Sequence, residues 1–377
     1  MRFKILGLIF TFIFVSCKKP DEPRSGLDPV KEYLNLPASP FNYANQNLPA
    51  YMAGTELSSF DNTPAHNPIT NHGATLGRVL FYEKALSKSN TIACASCHKQ
   101  EQGFSDNIAL SEGWEGHKTK RHSMALVNAK YYRTGKFFWD ERAATLEEQV
   151  LMPIQDSVEM GLTLTEMETR LNNLPYYKPL FYNAFGSDEI TTEKAALALA
   201  QFVRSIVSYQ TKYDEGRAQV STLFEPFPNF TEGENKGKQL FNGFNDVMCV
   251  SCHGTEALVA DEGRNNGLDL STTDLGIGGI SGNPSEVSEF KTPSLKNIML
   301  TAPYMHDGRF ATIEEVLEHY NSGIENHPTL DPELKNLITG LPRPMNMTAK
   351  DKQALIAFLH TLTDSVLVKD QKFSNPF

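Results

Sequence analysis

Apolar positions along this chain recur mostly at helical spacing. The stretch "TTEKAALALAQFVRSIVSYQ" (191–210) places Ala196, Leu199, Val203 and Val207 on one face of a predicted helix. A second helix is predicted over "ATIEEVLEHYNSG" (311–323), opened by a Thr312–Glu315 capping box and closed at Gly323. A third spans "MTAKDKQALIAFLHTLT" (347–363), with a Thr348–Asp351 box and Leu355, Ile356, Leu359 and Leu362 facing inward. Two further stretches share a pattern: "LGRVLFYE" (76–83) and "KGKQLFNG" (236–243) each carry a glycine, two residues and then Leu-Phe. A glycine and an aromatic one turn apart suit a helix packed closely on another, and the repetition predicts a mainly α chain of two duplicated units. The Gly-rich run 267–286 reads as a loop; no strand leads in and no Lys-Ser/Thr follows, so it makes a poor phosphate cradle.

The amino terminus, "MRFKILGLIFTFIFVSC", has Arg2 and Lys4 before an apolar run from Ile5 to Val15. That run is too short for a membrane span and predicts a secretory signal over 1–16. The ending "FVSC" resembles a bacterial lipobox, which would make Cys17 the lipidated first residue; the alternative is an ordinary signal with an incidental cysteine. The polar, Pro-rich segment after it predicts a flexible tether over 17–44. Together these imply a lipoprotein on the periplasmic side of a bacterial envelope, touching the membrane only through its N-terminal lipid.

Composition adds bounds. With 377 residues the chain exceeds one ordinary domain, and 40% hydrophobic and 21% charged residues suit a soluble globular protein. A net charge of −10 argues against a nucleic-acid partner and favours a basic protein partner through electrostatic steering.

Five cysteines are present, and the four beyond Cys17 lie in two copies of Cys-x-x-Cys-His: "CASCH" at 94–98 and "CVSCH" at 249–253. Two disulfides would use the cysteines but leave the histidine after each pair unexplained. Structural zinc would need further Cys or His ligands at suitable spacing, which are lacking. Covalent haem attachment accounts for every residue: two thiols add to the haem vinyl groups and the next imidazole turns onto the iron. Cys94, Cys97 and His98 therefore hold one haem c, and Cys249, Cys252 and His253 another.

Two such motifs about 155 residues apart, with "FFWDERAATLEEQVLMPIQDSVEMG" (137–161) and "TPSLKNIMLTAPYMHDGRFATIEEV" (292–316), resemble the bacterial di-haem cytochrome c peroxidases. The methylamine-dehydrogenase maturase belongs to the same superfamily. The likeness runs from about Leu76 to Leu362. It implies two cytochrome c domains: the first over 45–215, joined by the C-terminal segment 346–377, carries the peroxide-reacting haem. The second, over 216–345, carries the electron-transfer haem. Carried over by motif, Glu159 is the distal acid/base with Gln149 and Pro153 beside it, and Trp139 is the indole between the haems. A buried carboxyl of raised pKa can take the proton from one peroxide oxygen and deliver it to the other.

The resemblance also implies calcium on the carbonyls of Thr301 and Pro303. The family's third ligand is an asparagine after an arginine; here His122 follows Arg121, and imidazole is a poor calcium ligand. Many relatives place a histidine on the distal side of the first haem; here Trp114 takes the ungapped position and His117 lies three residues on. The sixth ligand of the second haem is methionine in the peroxidases and tyrosine in the maturase branch; here Tyr320 matches. Tyr320 also fits core packing with Ile313, Val316 and Leu317, and Met299, Met305, Met345 and Met347 remain as substitutes. The function so implied is reduction of hydrogen peroxide to water with electrons from a small cytochrome c or cupredoxin, by a chain that could pair as a homodimer. The alternatives are a maturase-like enzyme oxidising side chains of a partner protein through high-valent iron, and a di-haem electron carrier.

Overall fold

The computed structural model describes residues 28–260 and 262–377. The signal segment, Cys17 and the first part of the expected tether lie outside the described residues. Within them the chain is helical and irregular, and its one paired ladder is a two-residue antiparallel contact, Gly263–Arg264 against Phe290–Lys291. No helix among the described residues is long and apolar enough to cross a membrane.

Two helix pairs organise the molecule. The Asn71–Tyr82 helix packs against Thr192–Ser205, and Glu232–Phe241 packs against Ala349–His360. The same contact makes both pairs. A Cβ on Gly77 would stand 2.0 Å from the carbonyl oxygen of Ala198, and one on Gly237 would stand 1.9 Å from that of Ala354. Only glycine lets the backbones come so close. One turn on, Phe81 meets Phe202 with ring centroids 5.2 Å apart, and Phe241 meets Phe358 at 5.1 Å. The repeated Gly-x-x-Leu-Phe pattern is therefore the signature of one packing device used twice.

A hydrophobic core surrounds each pair. The first draws on residues from Leu34 to Ile206, and the second on residues from Tyr213 to Leu362. A smaller cluster joins them, with Met52, Leu57, Phe60 and Tyr131 against Val207, Ala257 and Val259. Beside it Lys296, fully buried, pairs with Asp214 at 2.5 Å, and Tyr51 donates to the same carboxylate at 2.6 Å.

Three expectations are corrected. The Ala349–His360 helix belongs to the second core, where Ala354, Leu355 and Phe358 are buried, and not to the first. Gly237 needs a helix partner, and this is it. Only the chain after Leu362 returns: Leu367 and Phe373 enter the first core, and Arg78 Nε donates to the Ser374 carbonyl at 2.8 Å. The tether is also shorter than 17–44. Asp28 caps a helix over Pro29–Tyr33 by accepting from Val30 N–H at 3.0 Å, and Leu34 and Tyr43 are core residues. Finally, the helix expected over 191–210 stops at Ser205. The buried side chain of Asn128 accepts from Ser208 N–H at 3.0 Å while the Asn128 backbone N–H donates to Ile206 O at 2.9 Å, drawing this backbone out of the helical path.

Candidate functional site

The two motifs adopt one geometry. In each, the backbone N–H of the histidine donates to the first cysteine's carbonyl, His98 to Cys94 and His253 to Cys249, both at 3.0 Å. His98 Nδ1 then meets Phe104 O at 3.0 Å, and His253 Nδ1 meets Leu258 O at 3.4 Å. The accepting residues sit at φ 61° and 54°, a left-handed backbone rare for side chains of this size. A carbonyl on Nδ1 fixes the tautomer and leaves Nε2 free to meet iron. No disulfide joins the four motif cysteines. Burial pushes both Cys94 and Cys249 up to about 12, keeping them as thiols. Burial likewise lowers both imidazoles, His253 to about 4, so each stays neutral as a ligand requires. This donor set fits covalently held haem.

Each motif opens on a cavity. The first, of about 670 Å³ with a smaller compartment behind it, is bordered by His98, Gln149, Pro153 and Glu159. The second, of about 200 Å³, is bordered by Cys249, Cys252, His253, Met305, Met345 and Tyr320. Trp139 borders both.

Local turns aim the first cavity's side chains. Thr145 caps the Leu146–Gln149 turn by accepting from Glu148 N–H, setting Gln149 at its end. Asp156 caps the next turn, its Oδ1 accepting from Val158 N–H at 2.7 Å and Glu159 N–H at 3.3 Å. Glu159 thus turns inward. Burial, reinforced by Asp156 and opposed by Arg142, pushes its carboxyl up to about 7. A group poised there can accept and return a proton near neutral pH.

Trp114 and His117 are not in this cavity. The Trp114 indole donates to Ser157 O at 2.8 Å and lies over Gly161, where a Cβ would stand 2.5 Å from the indole nitrogen. His117 is exposed, its nearest acid Glu115 at 3.9 Å. The loop instead seals the Glu159 turn from outside.

His122 is engaged as well. Its Nδ1 lies 3.1 Å from Ile108 O and 3.2 Å from Ala109 O, and its Nε2 3.1 Å from Ser105 Oγ. Both ring nitrogens are occupied, so this histidine does not complete a calcium cage with Thr301 and Pro303. Among the described residues no cluster of three or more His, Cys, Asp or Glu gathers to hold a metal.

Sequence reasoning passed over two parts of the site. Lys291 is buried between the cavities, and it borders both. Its Nζ donates to Lys136 O at 2.7 Å and stands 3.7 Å above the Tyr132 ring; burial pushes it down to about 7, against the pull of Glu141. The second is a bridge: Arg121 donates to Asp140 at 2.5 Å and, with a two-pronged contact, to Asp274 at 2.8 and 2.7 Å. Asp274 lies in the Gly-rich run, so this loop serves to clasp the two halves together. A lone arginine or lysine among polar neighbours gave no periodic signal for either role.

Known proteins resemble the chain as follows. The model of the di-haem cytochrome c peroxidase family matches residues 71–220. The methylamine utilization protein MauG of Methylophilus methylotrophus is 33% identical over 308 residues, covering 81% of this chain and 86% of that one. The cytochrome c551 peroxidase of Nitrosomonas europaea is 34% identical over 250 residues, covering 65% and 71%. A solved MauG-like protein associated with microbial copper homeostasis aligns with a TM-score of 0.75 at 32% identity, covering 88% of this chain and 99% of that one.

Proposed function

The chain belongs to the di-haem cytochrome c peroxidase family of oxidoreductases, and we propose that it is an exported peroxidase reducing hydrogen peroxide to water with electrons from a small cytochrome or cupredoxin. The family implies haem c, which when bound at the two motifs supplies the peroxide-binding iron and the electron relay. The chain's own residues do the rest. His98 and His253, their Nδ1 atoms engaged by backbone carbonyls, would hold the two irons through Nε2. Glu159 takes the proton from the near oxygen of peroxide and delivers it to the leaving oxygen, while Gln149 orients the bound molecule. Trp139, bordering both cavities, couples them.

The half-buried Glu159 carboxyl, bordering the same cavity as His98 and raised to about 7, carries this reading. The test is peroxide-dependent oxidation of a pre-reduced small cytochrome c by the diferric holoprotein. Turnover without prior reduction, lost in Glu159→Gln, supports a peroxidase whose first site rests open. A bis-histidine, low-spin first haem in the diferric protein would overturn the open resting state.

A second reading has a specific observation behind it. Tyr320 stands in the His253 cavity, where a phenolate ligand would lower the haem potential and suit oxidation of a partner protein's side chains. Peroxide-induced Soret changes without cytochrome turnover would favour it. The electron-carrier alternative has no support in the relatives, whose names are those of peroxidases and MauG proteins. Export and lipidation at Cys17 remain part of the proposal; membrane-fraction recovery lost in Cys17→Ser tests them.

A further inference from the structure

The loop entering the His253 cavity is built on adjacent asparagines. Asn265 is buried and pins it: its amide donates to Thr329 Oγ1 at 2.8 Å, and its Oδ1 accepts from Gly267 N–H at 2.9 Å. Gly267 sits at φ 69°, and a Cβ there would stand 2.8 to 2.9 Å from Ile324, Glu325 and Leu330, so the turn requires glycine. The next carbonyl, that of Asn266, lies 3.0 Å from His319 Nε2. Asn266 is thereby fixed on both sides, and its side chain borders the cavity.

Its Nδ2 lies 3.3 Å from Tyr320 OH and 3.5 Å from Met305 Sδ. A side-chain amide carries two N–H donors, one for each acceptor. Met305 is itself held at φ 75°, a backbone region that residues other than glycine rarely adopt. Two candidate iron ligands are thus gathered by one amide.

We infer that Asn266 is a positioning residue of the second haem site, its amide holding the Tyr320 oxygen and the Met305 sulfur side by side, the tyrosine as ligand and the methionine as its substitute. This rests on the reading of Tyr320 as a ligand given above. A hydrogen bond donated to a phenolate oxygen withdraws charge from it and weakens it as a donor to ferric iron. The amide therefore raises the second haem's potential above that of an unmodified tyrosinate site.

The experiment compares holoprotein of the wild type, Tyr320→Phe and Asn266→Leu by optical and EPR spectra in the diferric state and by redox titration. Tyr320→Phe is expected to lose a tyrosinate-type band and gain a methionine-sulfur charge-transfer band. Asn266→Leu is expected to keep the tyrosinate band at a shifted position, with a lower midpoint potential. Should Asn266→Leu fail to take up haem, Asn266→Asp, of the same size but with oxygen replacing the N–H donor, is read in the same way. An Asn266 variant with wild-type band and potential, in a protein whose band vanishes in Tyr320→Phe, overturns the positioning role alone. A Tyr320→Phe spectrum identical to wild type overturns the ligand reading itself. Loss of the tyrosinate band without a methionine signature overturns the role given to Met305.

Discussion

The indole N–H of Trp139 donates to the carbonyl of His122 at 2.8 Å, while the Trp139 carbonyl accepts from Lys291 N–H at 2.8 Å. Ring and backbone are thus held from opposite sides, and the ring borders both cavities without freedom to turn away. In Trp139→Phe the first site should still react with peroxide. Reoxidation of the reduced second haem should slow at least about tenfold, ~1.4 kcal/mol of barrier. Stopped-flow spectra of the half-reduced protein separate the two steps; equal rates in both proteins would remove Trp139 from the route.

Glu159 sets the pH dependence. The carboxylate form accepts the peroxide proton, so kcat/KM should rise with pH through about 7 and level off above it. Glu159→Gln should lose that limb and about two to four orders of magnitude in rate. The fold favours the protonated form of this group. Its contribution to stability is therefore complete below the unfolded value of about 4.3 and is lost as pH rises through about 7. Chemical denaturation at pH 6 and pH 8 should show the wild type losing more stability than Glu159→Gln.

Covalent haem content is countable by mass. Replacing Cys94 and Cys97 together with Ser should remove one haem per chain and leave the other, and replacing Cys249 and Cys252 should do the converse. Retention of both haems in either variant would contradict attachment at these motifs.

Gly77→Ala and Gly237→Ala each drive a methyl group into a backbone carbonyl that no rotamer change can clear. Each should cost about 1–3 kcal/mol, with the helix pair forced apart. Denaturant midpoints should fall in both variants. Haem loading should suffer only in the half that carries the change, which a purely global effect would not reproduce.

The Lys296–Asp214 pair lies in the second half where the first half's Tyr51 reaches it, and neither of its side chains meets water. Burial alone would raise Asp214, but the Lys296 ammonium and the hydrogen bonds from Lys296, Thr211 and Tyr51 outweigh it and hold the carboxyl below its usual range. That stabilisation is present above the unfolded value of about 3.9 and disappears as pH falls through the depressed one. Lys296→Met leaves a buried carboxylate without its counter-charge and should cost about 3–5 kcal/mol, seen as a lower denaturant midpoint at pH 7.

Much of this was legible because haem attachment and helix capping are local. Cys-x-x-Cys-His needs only five residues, and the boxes at Thr312 and Thr348 form where expected. Packing partners were harder. The Ala349–His360 helix was assigned to the wrong core, although "ALAQF" (198–202) and "ALIAF" (354–358) carry the complementary alanine and phenylalanine that Gly77 and Gly237 require. That repeat lies within helices whose apolar periodicity is equally satisfied by either core. Asn266 and Lys291 escaped for another reason: a single polar residue takes its meaning from what surrounds it, and those neighbours come from distant segments. The tether was overextended because Pro-rich composition says nothing of Leu34 and Tyr43, whose burial depends on the far end of the chain.

That far end has one more effect. Tyr33, near the start of the described chain, and Phe377, its last residue, both pack against the ring of Tyr176, at 5.6 and 6.1 Å, and Asn35 N–H donates to Pro376 O at 2.6 Å. The start of the described residues and Phe377 meet on one edge of the first half. A probe attached at Tyr33 or at Phe377 would therefore leave the molecule from the same side. A circular permutant that links Phe377 to Asp28 and opens an exposed loop elsewhere keeps the core contacts described here.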